Sequence, residues 1–435
     1  MGKNRNRNRK VDKLWVEIFK DYKIMDKLER YGFFEITSSE IKKYREPRLM
    51  TKFDHKNSLP DIFFYNKLSI LPNTRGSYII SHFNAYQKLK TKPNNKPKKI
   101  SMPYWIETID YDSLYSEASV INCAYVTGIF NEIMQEKVIF PTVSGRMSTS
   151  VFDFNIDNVK TNKKYNFYVK NSQCEIDGGY EGLNKLMLLE AKNTLSDDFL
   201  IRQLYFPYRL WHQKIKGVKP ITPVFLVYSA EVFHFFVYNF EDVYDYNSLQ
   251  LLYYDSFTIE DEIIRVIDIE ELLDEVSIVK EPTNVPFPQA DTFERVLDLL
   301  GALYEEDQLS SEDISLRYDF TDRQADYYTN ACKYLGLADK QNGAAWLTKK
   351  GKKILSMKKR ERLLSITKCI LNHEVFYLTL SLYLKTGRTF TKEEIYQKIT
   401  KPNEHKLYNI SGDTVKRRTQ SVKKWVEWVI GLAEE

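Results

Sequence analysis

Two acidic residues and one lysine flank a short apolar run near the middle of the chain. The stretch CEIDGGYEGLNKLMLLEAKN (174–193) contains Asp177 before that run, and Glu190 and Lys192 at its end. A charged side chain at the end of a core strand is costly to bury unless it has a partner, a metal or a catalytic task. The pattern therefore predicts a site in which these residues serve one of those three roles.

An antiparallel hairpin over 174–193 would pair these residues across two strands. In the simplest register Asp177 lies opposite Glu190, and Glu175 lies opposite Lys192. Opposed side chains have Cβ atoms about 4.5–5.5 Å apart, so the two carboxylates repel each other unless a cation lies between them. Hard oxygen ligands favour Mg²⁺ or Mn²⁺, and a neighbouring lysine would orient water or stabilise charge on a phosphate. The alternative is an ordinary cross-strand salt bridge near a turn.

The segments around the hairpin predict a mixed sheet covered by helices. Apolar residues recur at helical spacing over about 111–136, with Glu117 near the start of that helix. A second helix is predicted over 196–217, capped by Ser196 and kinked at Pro207. Strands are predicted on both sides of the hairpin, at 151–156, 165–170, 223–230 and 231–240. This order of elements indicates an α/β (α+β) mixed-sheet core.

Asp177 and the tripeptide Glu190-Ala191-Lys192, within this order of elements, resemble the PD-(D/E)xK nuclease superfamily. More specifically, the chain is similar to a family of bacterial type II restriction endonucleases. Ile176 stands where the name-giving motif has a proline. The similarity extends through EPRLMTKFD (46–54), LPNTRGSYIISHFNAY (71–86), PTVSGRMSTSVFDF (141–154), IDGGYEG (176–182), LLEAKN (188–193), DFLIRQLYFPYRLW (198–211) and TVKRRTQSVKKWVEW (414–428).

The resemblance implies a role for each residue around the hairpin. Asp177 and Glu190 would be metal ligands, and Lys192 would be the catalytic lysine. Glu117 would be an additional acid, and Gln203, early in the following helix, would lie near the site. The implied cofactor is Mg²⁺, with Mn²⁺ as a substitute.

The activity that the resemblance implies is cleavage of double-stranded DNA at a specific short sequence, leaving 5′-phosphate ends. Such an enzyme belongs to a bacterial restriction–modification system that defends against phage. Its partner enzyme is a cognate DNA methyltransferase, which acts on the same site without a stable complex. Because two symmetric nicks need two active sites, a homodimer is expected, although a chain of this length could also act as a monomer.

Two glycine-containing segments are candidates for DNA contact within the predicted N-terminal and nuclease regions. In both segments an arginine stands beside a glycine that lets the backbone approach a ligand closely, and plain surface loops are the alternative. The candidate residues are Arg75 and Tyr78 in NTRGSY (73–78), and Ser144 and Arg146 in SGRM (144–147).

The C-terminal part of the chain predicts two helical units with a winged-helix pattern of helix, turn, helix and short wing. The start of each predicted recognition helix is rich in polar and basic residues that could contact DNA. The alternative for each unit is a winged helix used for dimerisation or packing. The candidates are Arg323, Gln324 and Tyr327 in the first unit and Lys416, Arg417 and Arg418 in the second.

The length of 435 residues exceeds what one hydrophobic core supports, so several domains are expected. We predict an N-terminal DNA-recognition region (1–110), a PD-(D/E)xK nuclease domain (111–285), a winged-helix domain (286–360) and a second helical or winged-helix unit (361–435). With no run of 18 uncharged apolar residues, no membrane span is predicted. The four cysteines form no CxxC pair, which favours a reducing, cytoplasmic location.

The charge distribution suits a polyanionic partner better than the modest net charge of +5 suggests. Basic runs lie at 3–10, 88–99 and 349–362, and an acidic run lies at 259–275. Phosphate neutralisation supplies most non-specific affinity for DNA, so separate basic patches favour nucleic acid, with solvated surface as the alternative. Two other functions remain open: a winged-helix DNA-binding regulator with a non-catalytic sheet domain, and a repair or modification-dependent nuclease with the same site.

Overall fold

The computed structural model of the chain describes residues 9–89, 96–259, 264–282, 284–318, 320–388, 390–400 and 413–433, without the side chains of 398–400 and 413–416. The described residues form two compact units. Unit 1 contains the residues up to Pro103, Glu117–Tyr228 and Val232–Thr258. Unit 2 contains Tyr104–Ser116, Ser229–Glu231 and the residues from Ile259 onward. These units do not follow the predicted boundaries at 110 and 285.

The N-terminal part of unit 1 is a small layer of helices on a three-stranded antiparallel sheet. Its helices are α1 (Lys10–Asp21), α2 (Ile24–Tyr31), α3 (Ser38–Lys42), α4 (Pro47–Thr51) and α5 (Asp61–Tyr65). Its strands are β1 (Phe33–Thr37), β2 (Ser69–Pro72) and β3 (Ser77–Ser81), in the order β1-β3-β2. The ring of Trp15 meets that of Phe63 edge to face at 4.8 Å, and both side chains are fully buried. This aromatic core holds the layer together.

The rest of unit 1 is built on a seven-stranded mixed sheet in the order β5-β14-β13-β12-β10-β9-β6. Its strands are β5 (Lys98–Ile100), β6 (Ile139–Ser148), β9 (Gln173–Gly182), β10 (Leu186–Lys192), β12 (Ile221–Ser229), β13 (Val232–Phe240) and β14 (Leu249–Ile259). Two further pairs flank it: β4 (Tyr86–Lys88) with β11 (Asp198–Leu200), and β7 (Val151–Asn158) with β8 (Lys163–Lys170). The helices are α6 (Glu117–Val126), α7 (Ile129–Met134) and α8 (Arg202–Lys214). The predicted mixed α/β class is confirmed.

The register predicted for the hairpin is confirmed. β9 and β10 pair antiparallel from Leu186 opposite Glu181 to Leu189 opposite Gly178, and β10 runs parallel to β12 on its other side. The four apolar residues 186–189 are almost fully buried, because β10 lies inside the sheet. The pairing of β9 with β10 ends at Leu189 and Gly178, so it does not reach the predicted pair of Glu175 and Lys192; on the other side of β9, Glu175 lies opposite Arg146 of β6.

Two predictions about local structure were wrong. The helix predicted over 111–136 is divided into α6 and α7 at Gly128, whose φ of +78° interrupts helical geometry. The helix predicted to begin at Ser196 begins at Arg202, and residues 198–200 form β11 instead. The segment 144–147 lies inside β6, beside a register shift at Gly145, so the alternative of a plain surface loop is excluded there.

Unit 2 is mainly helical, with one small sheet. Its helices are α9 (Val266–Glu275), α10 (Phe293–Glu305), α11 (Ser311–Arg317), α12 (Asp322–Tyr334), α13 (Lys349–Leu355), α14 (Lys359–Leu371), α15 (Glu374–Thr386), α16 (Lys392–Thr400) and α17 (Asp413–Leu432). Its strands β15 (Gln308–Ser310), β16 (Ala338–Gln341) and β17 (Ala344–Leu347) pair in the order β15-β17-β16. The predicted helices and the hairpin near 342 are confirmed. Among the described residues of 361–433 only helices occur.

No helix in the described part of the chain combines the length and the apolar composition needed to cross a bilayer.

Candidate active site

The middle of β9 and the end of β10 bring Asp177 and Glu190 to one place. Beyond the last ladder pair, Asp177 Oδ2 accepts the N–H of Ala191 at 2.8 Å, so this carboxylate continues the pairing with a side chain. A Cβ built on Gly179 would lie 2.6 Å from Cβ of Val143, so only glycine lets β6 pack this closely against β9. The IDGGYEG segment thus holds Asp177 in a tightly packed sheet.

Glu190 has a charged partner in the structure, as a buried carboxylate at the end of a core strand requires. The ammonium nitrogen of Lys192 lies 2.5 Å from Glu190 Oε1, and it also donates to the carbonyl oxygen of Ala191 at 3.0 Å. The same nitrogen lies 3.8 Å from Oε1 of Glu117, the first residue of α6. Glu190 is only 7% exposed. A buried ion pair with this geometry places lysine and carboxylates in one cluster.

The cluster contains more carboxyl groups than ammonium groups. Burial raises the pKa of Glu190 to about 8, opposed by Lys192 and reinforced by the negative charges of Asp177 and Asp54. Burial alone would lower the pKa of Lys192, but the carboxylates of Glu190, Glu117 and Asp54 raise it, and the net shift is upward. Lys192 therefore stays protonated, and the surplus of carboxylates favours binding of a further cation.

Gln203 also contacts Glu190, from the first turn of α8. Its Nε2 donates to Glu190 Oε1 at 2.5 Å. Its Oε1 is enclosed and has no hydrogen-bond partner among the described residues. Buried amide oxygens are nearly always satisfied in proteins, so this acceptor is available to a further donor or cation.

The ligand atoms of these residues are suited to a hard divalent cation, although the side chains do not form a complete metal-binding group. In the described part of the chain no three His, Cys, Asp or Glu side chains converge as a ready metal-binding group. The side chains that would act as ligands nevertheless offer only oxygen atoms, as Mg²⁺ prefers: the carboxylates of Asp177 and Glu190 and the unsatisfied amide oxygen of Gln203, all of which line one cleft. Asp177 and Glu190 would hold the ion.

These groups line a cleft of about 920 Å³ within unit 1. All five predicted catalytic or metal-binding residues contribute to its wall: Glu117, Asp177, Glu190, Lys192 and Gln203. Three of the four predicted DNA-contact residues of unit 1 do so as well: Arg75, Tyr78 and Arg146. Ser144 is exposed on β6 but is not part of this wall. The structure therefore unites two groups of residues that the sequence treats separately.

Six charged residues of the cleft were not predicted from the sequence: Lys42, Glu46, Arg48, Lys52, Asp54 and Arg202. Lys52 and Asp54 follow α4, with Lys52 Nζ 3.6 Å from Asp54 Oδ2. Arg48 lies on α4 and Arg202 at the start of α8. The resemblance predicted from the sequence includes the segments 46–54 and 198–211, but it assigns no role to Asp54 or to Arg202.

The predicted DNA contacts of unit 2 fall into different environments. On α12, Arg323 is exposed and its Nε donates to the hydroxyl of Tyr327. Gln324 uses its Oε1 to accept the N–H of Thr321 at 2.9 Å in a capping box, so this oxygen caps the helix. On α17, Arg417 is exposed, and the side chain of Lys416 lies outside the described residues.

Arg418, also on α17, is buried. It is only 6% exposed, which contradicts its place among the exposed basic residues of the predicted recognition helix.

Three domain families match successive parts of the chain, each described as a domain of unknown function. DUF6996 matches residues 12–80, DUF6997 matches 81–258 and DUF7226 matches 295–434. None of the curated proteins and none of the solved structures matches the chain. The second match ends at Thr258, where unit 1 also ends.

Proposed function

We propose that the protein is a Mg²⁺-dependent endonuclease that hydrolyses phosphodiester bonds of double-stranded DNA in the cleft of unit 1. One observation carries this proposal: Asp177, from the middle of β9, lies beside Glu190 and Lys192 at the end of β10, with Gln203 on the Glu190 carboxylate. A salt bridge that only stabilised the hairpin would need neither the second carboxylate nor an amide with an open acceptor. The surplus of carboxylates supports a site that binds a cation.

Each side chain has a role that follows from its contacts. Mg²⁺, or Mn²⁺ in its place, would be held by Asp177 and Glu190 and would polarise the phosphate and lower the pKa of water. Lys192 keeps its proton, so it stabilises the negative charge that develops on the phosphate, or orients the attacking water. Gln203 fixes the position of the Glu190 carboxylate, and Glu117 adds negative charge close to Lys192.

Double-stranded DNA is the substrate that the cleft wall favours. Arg48, Arg75, Arg146 and Arg202 surround the acidic centre and can bind backbone phosphates on either side of a scissile bond. In unit 2, the order α10, β15, α11, α12, β16, β17 supports a winged-helix domain that contacts the same DNA. Sequence specificity, 5′-phosphate ends, the restriction–modification setting and its methyltransferase come from the family resemblance, and cutting both strands favours a homodimer.

Incubation of a supercoiled plasmid with the protein and Mg²⁺ tests the proposal. The wild type should give discrete fragments, and Asp177→Asn should give none while still binding the plasmid. Asp153→Asn is the matched control, because Asp153 lies on β7 and contacts Asn166 instead of the cleft. Intact plasmid with the wild type, although DNA is bound, would favour the regulator over the nuclease.

Cleavage by Asp177→Asn at the wild-type rate would disprove the assigned site. Digestion of methylated beside unmodified DNA separates a restriction enzyme from a modification-dependent nuclease. Sequencing the fragment ends on a mixed-sequence DNA then gives both the target and the stagger.

A further inference from the structure

Arg146 and Glu175 form a cross-strand ion pair on the wall of the cleft. Arg146 of β6 lies opposite Glu175 of β9, and its Nε donates to Glu175 Oε1 at 3.1 Å. The two side chains are 58% and 55% exposed, and both line the cleft. Among the described residues, the two Nη nitrogens of Arg146 have no hydrogen-bond partner. The pair therefore presents a guanidinium that a carboxylate orients and whose outer end is accessible to a ligand.

An irregularity in the backbone of β6 lies directly before Arg146. The register of β6 against β9 shifts between Val143 and Gly145, and Gly145 has a φ of +88°. A Cβ added to Gly145 would meet no atom within 4 Å, so glycine is required there by the backbone conformation and not by lack of space. Such irregularities change the direction of neighbouring side chains and are frequent beside active sites. The local backbone is therefore adapted to the direction of Arg146.

The ion pair lies close to the proposed catalytic centre. Glu175 precedes Asp177 by two residues on β9, so the two side chains lie on the same face of the strand. Two residues of an extended strand span about 7 Å, and successive base pairs of DNA are about 3.4 Å apart. With DNA in the cleft, a base that contacts Arg146 would lie one or two base pairs from the phosphodiester bond at Asp177.

The charge of the pair distinguishes Arg146 from the other arginines of the cleft. Among the described residues, Arg48, Arg75 and Arg202 form no ion pair with a carboxylate, so each offers a full positive charge to a phosphate. Glu175 compensates the charge of Arg146 and would repel a phosphate that came close to it. The edge of a base carries no net charge and meets no such repulsion. In the major groove, guanine presents two acceptors, N7 and O6, that match a pair of arginine donors.

We propose that Arg146 recognises a guanine of the target sequence, one or two base pairs from the scissile bond, and that Glu175 positions it for this contact. The two Nη groups would donate to N7 and O6 of the base, while Nε stays on Glu175. Such a contact supplies sequence specificity, which contacts to the phosphate backbone alone do not carry. This inference rests on the proposed function, because it takes the DNA in the cleft as the ligand.

Selection of bound duplexes from a random-sequence DNA library, by the full-length protein without divalent cations, tests the contact. The wild type should enrich a sequence that contains a fixed G·C pair. Arg146→Gln should lower the preference for that pair about tenfold and keep the preferences at other positions. Arg388→Gln is the matched control, because Arg388 is also 58% exposed and paired with a glutamate, Glu394, but belongs to unit 2. It should select the same sequence as the wild type.

Arg48→Gln separates recognition of a base from binding of a phosphate. Arg48 is exposed on the same cleft wall. Its replacement should weaken binding to all sequences about equally and lower the slope of log K against log [salt] by about one, as expected for a lost phosphate contact. The same result for Arg146→Gln would make Arg146 a phosphate contact and overturn the inference. An unchanged preference at every position would also overturn it.

Two variants of Glu175 test its positioning role. Glu175→Ala removes the acceptor of the Arg146 Nε and should weaken the guanine preference, whereas Glu175→Gln keeps an acceptor oxygen and should retain most of it. Both side chains of the pair are more than half exposed, so the salt bridge contributes little to stability and the variants should fold. A lower unfolding temperature of Arg146→Gln with an unchanged sequence preference would identify a structural pair and contradict the inference.

Cleavage separates this inference from the proposed function. Sequencing of the cut ends should place the G·C pair that depends on Arg146 one or two base pairs from the cut, and a larger separation would contradict the geometry. If the guanine preference depends on Arg146 but the wild type never cleaves DNA, the nuclease proposal fails and the base contact stands. If the wild type cleaves DNA and Arg146→Gln keeps the wild-type sequence preference, only the base contact fails.

Discussion

Glu190 in unit 1 and Asp298 in unit 2 are two carboxylic acids with similar electrostatics and different surroundings. Burial raises the pKa of Glu190 to about 8 and that of Asp298 to about 7. Glu190 receives its hydrogen bonds from the Lys192 ammonium and the Gln203 amide, both at 2.5 Å. Asp298 receives them from the hydroxyl of Ser229 at 2.8 Å and the N–H of Ala230 at 3.2 Å.

The comparison shows that a raised pKa alone does not identify a functional carboxylate. Asp298 accepts hydrogen bonds only from uncharged groups, one of them a backbone N–H. Such contacts are typical of a carboxyl group that stabilises the position of a chain segment. Glu190 lines a cleft beside another carboxylate, and its donors are side chains that can change partner when a cation or substrate binds. The type and mobility of the partners, rather than the shift, distinguish the two roles.

Lys192→Met should have the largest effect. Removal of the ammonium should lower the rate of DNA cleavage about 10³-fold, the upper range for loss of one group that stabilises a transition state, with little change in DNA affinity. Single-turnover cleavage and binding assays measure the two effects separately. Lys219→Met is the control, because Lys219 also pairs with a glutamate of β9, Glu181, at 2.6 Å. If both variants cut DNA equally fast, the ion pair at Glu190 is structural.

Glu190→Gln and Asp298→Asn test the comparison directly. Each replaces a carboxylate by an amide of the same size. We expect Glu190→Gln to lower the cleavage rate roughly 10²-fold, because it removes a cation ligand and the partner of Lys192, and Asp298→Asn to leave the rate within about twofold. Cleavage rates over a range of Mg²⁺ concentrations provide the measurement. Equal losses of cleavage rate in both variants would mean that Glu190 and Asp298 do not differ in their contribution to catalysis.

Local patterns were sufficient to predict the central hairpin. The apolar run of β10, the glycines before it and the period-two alternation define one register, and the structure confirms it from Leu186 to Leu189. Gln324, predicted as a DNA contact, instead completes a capping box with Thr321 three residues earlier. Both features depend on residues close together in the chain, which a single sequence displays.

Contacts between distant segments could not be predicted in this way. Asp197 and Asp198 resemble a helix N-terminus, but Asp198 pairs with Lys88 in a strand, and Leu200 donates its N–H to the carbonyl oxygen of Asp54 at 2.9 Å. The same long-range pairing brings Asp54 to the cleft, which is why its role was missed. Tertiary contacts override local propensity at such positions.

Gln203→Ala should have a moderate effect, because this side chain positions Glu190 without being proposed to take part in the chemistry. Loss of one hydrogen bond to a charged group is worth about 1.5–3 kcal/mol, which corresponds to at least about tenfold in cleavage rate. Gln213→Ala on the same helix is the control, since Gln213 donates to the carbonyl oxygen of Val151 at 3.2 Å and lies away from the site. A rate unchanged by Gln203→Ala would remove Gln203 from the site.

The smallest expected effect concerns stability and separates the two carboxylates by pH. Asp298 has an ordinary pKa of 3.8, raised to about 7 in the folded protein, so the folded state binds its proton more tightly than the unfolded state does. Its stabilising contribution is complete below about pH 4 and is lost as the pH rises to about 7. Asp298→Asn should therefore gain stability relative to the wild type over that interval, by about 2–4 °C in unfolding temperature for each kcal/mol involved.

Glu190→Gln should behave in the same way over a window that extends about one pH unit higher, because the pKa of Glu190 is raised from 4.5 to about 8. Between pH 7 and pH 8, in the absence of divalent cations, the difference in unfolding temperature from the wild type should continue to increase only for Glu190→Gln. Thermal unfolding at pH 5, 7 and 8 measures both differences. Parallel curves for the two variants in the upper interval would contradict the distinction, because they would place both carboxylates in equivalent surroundings.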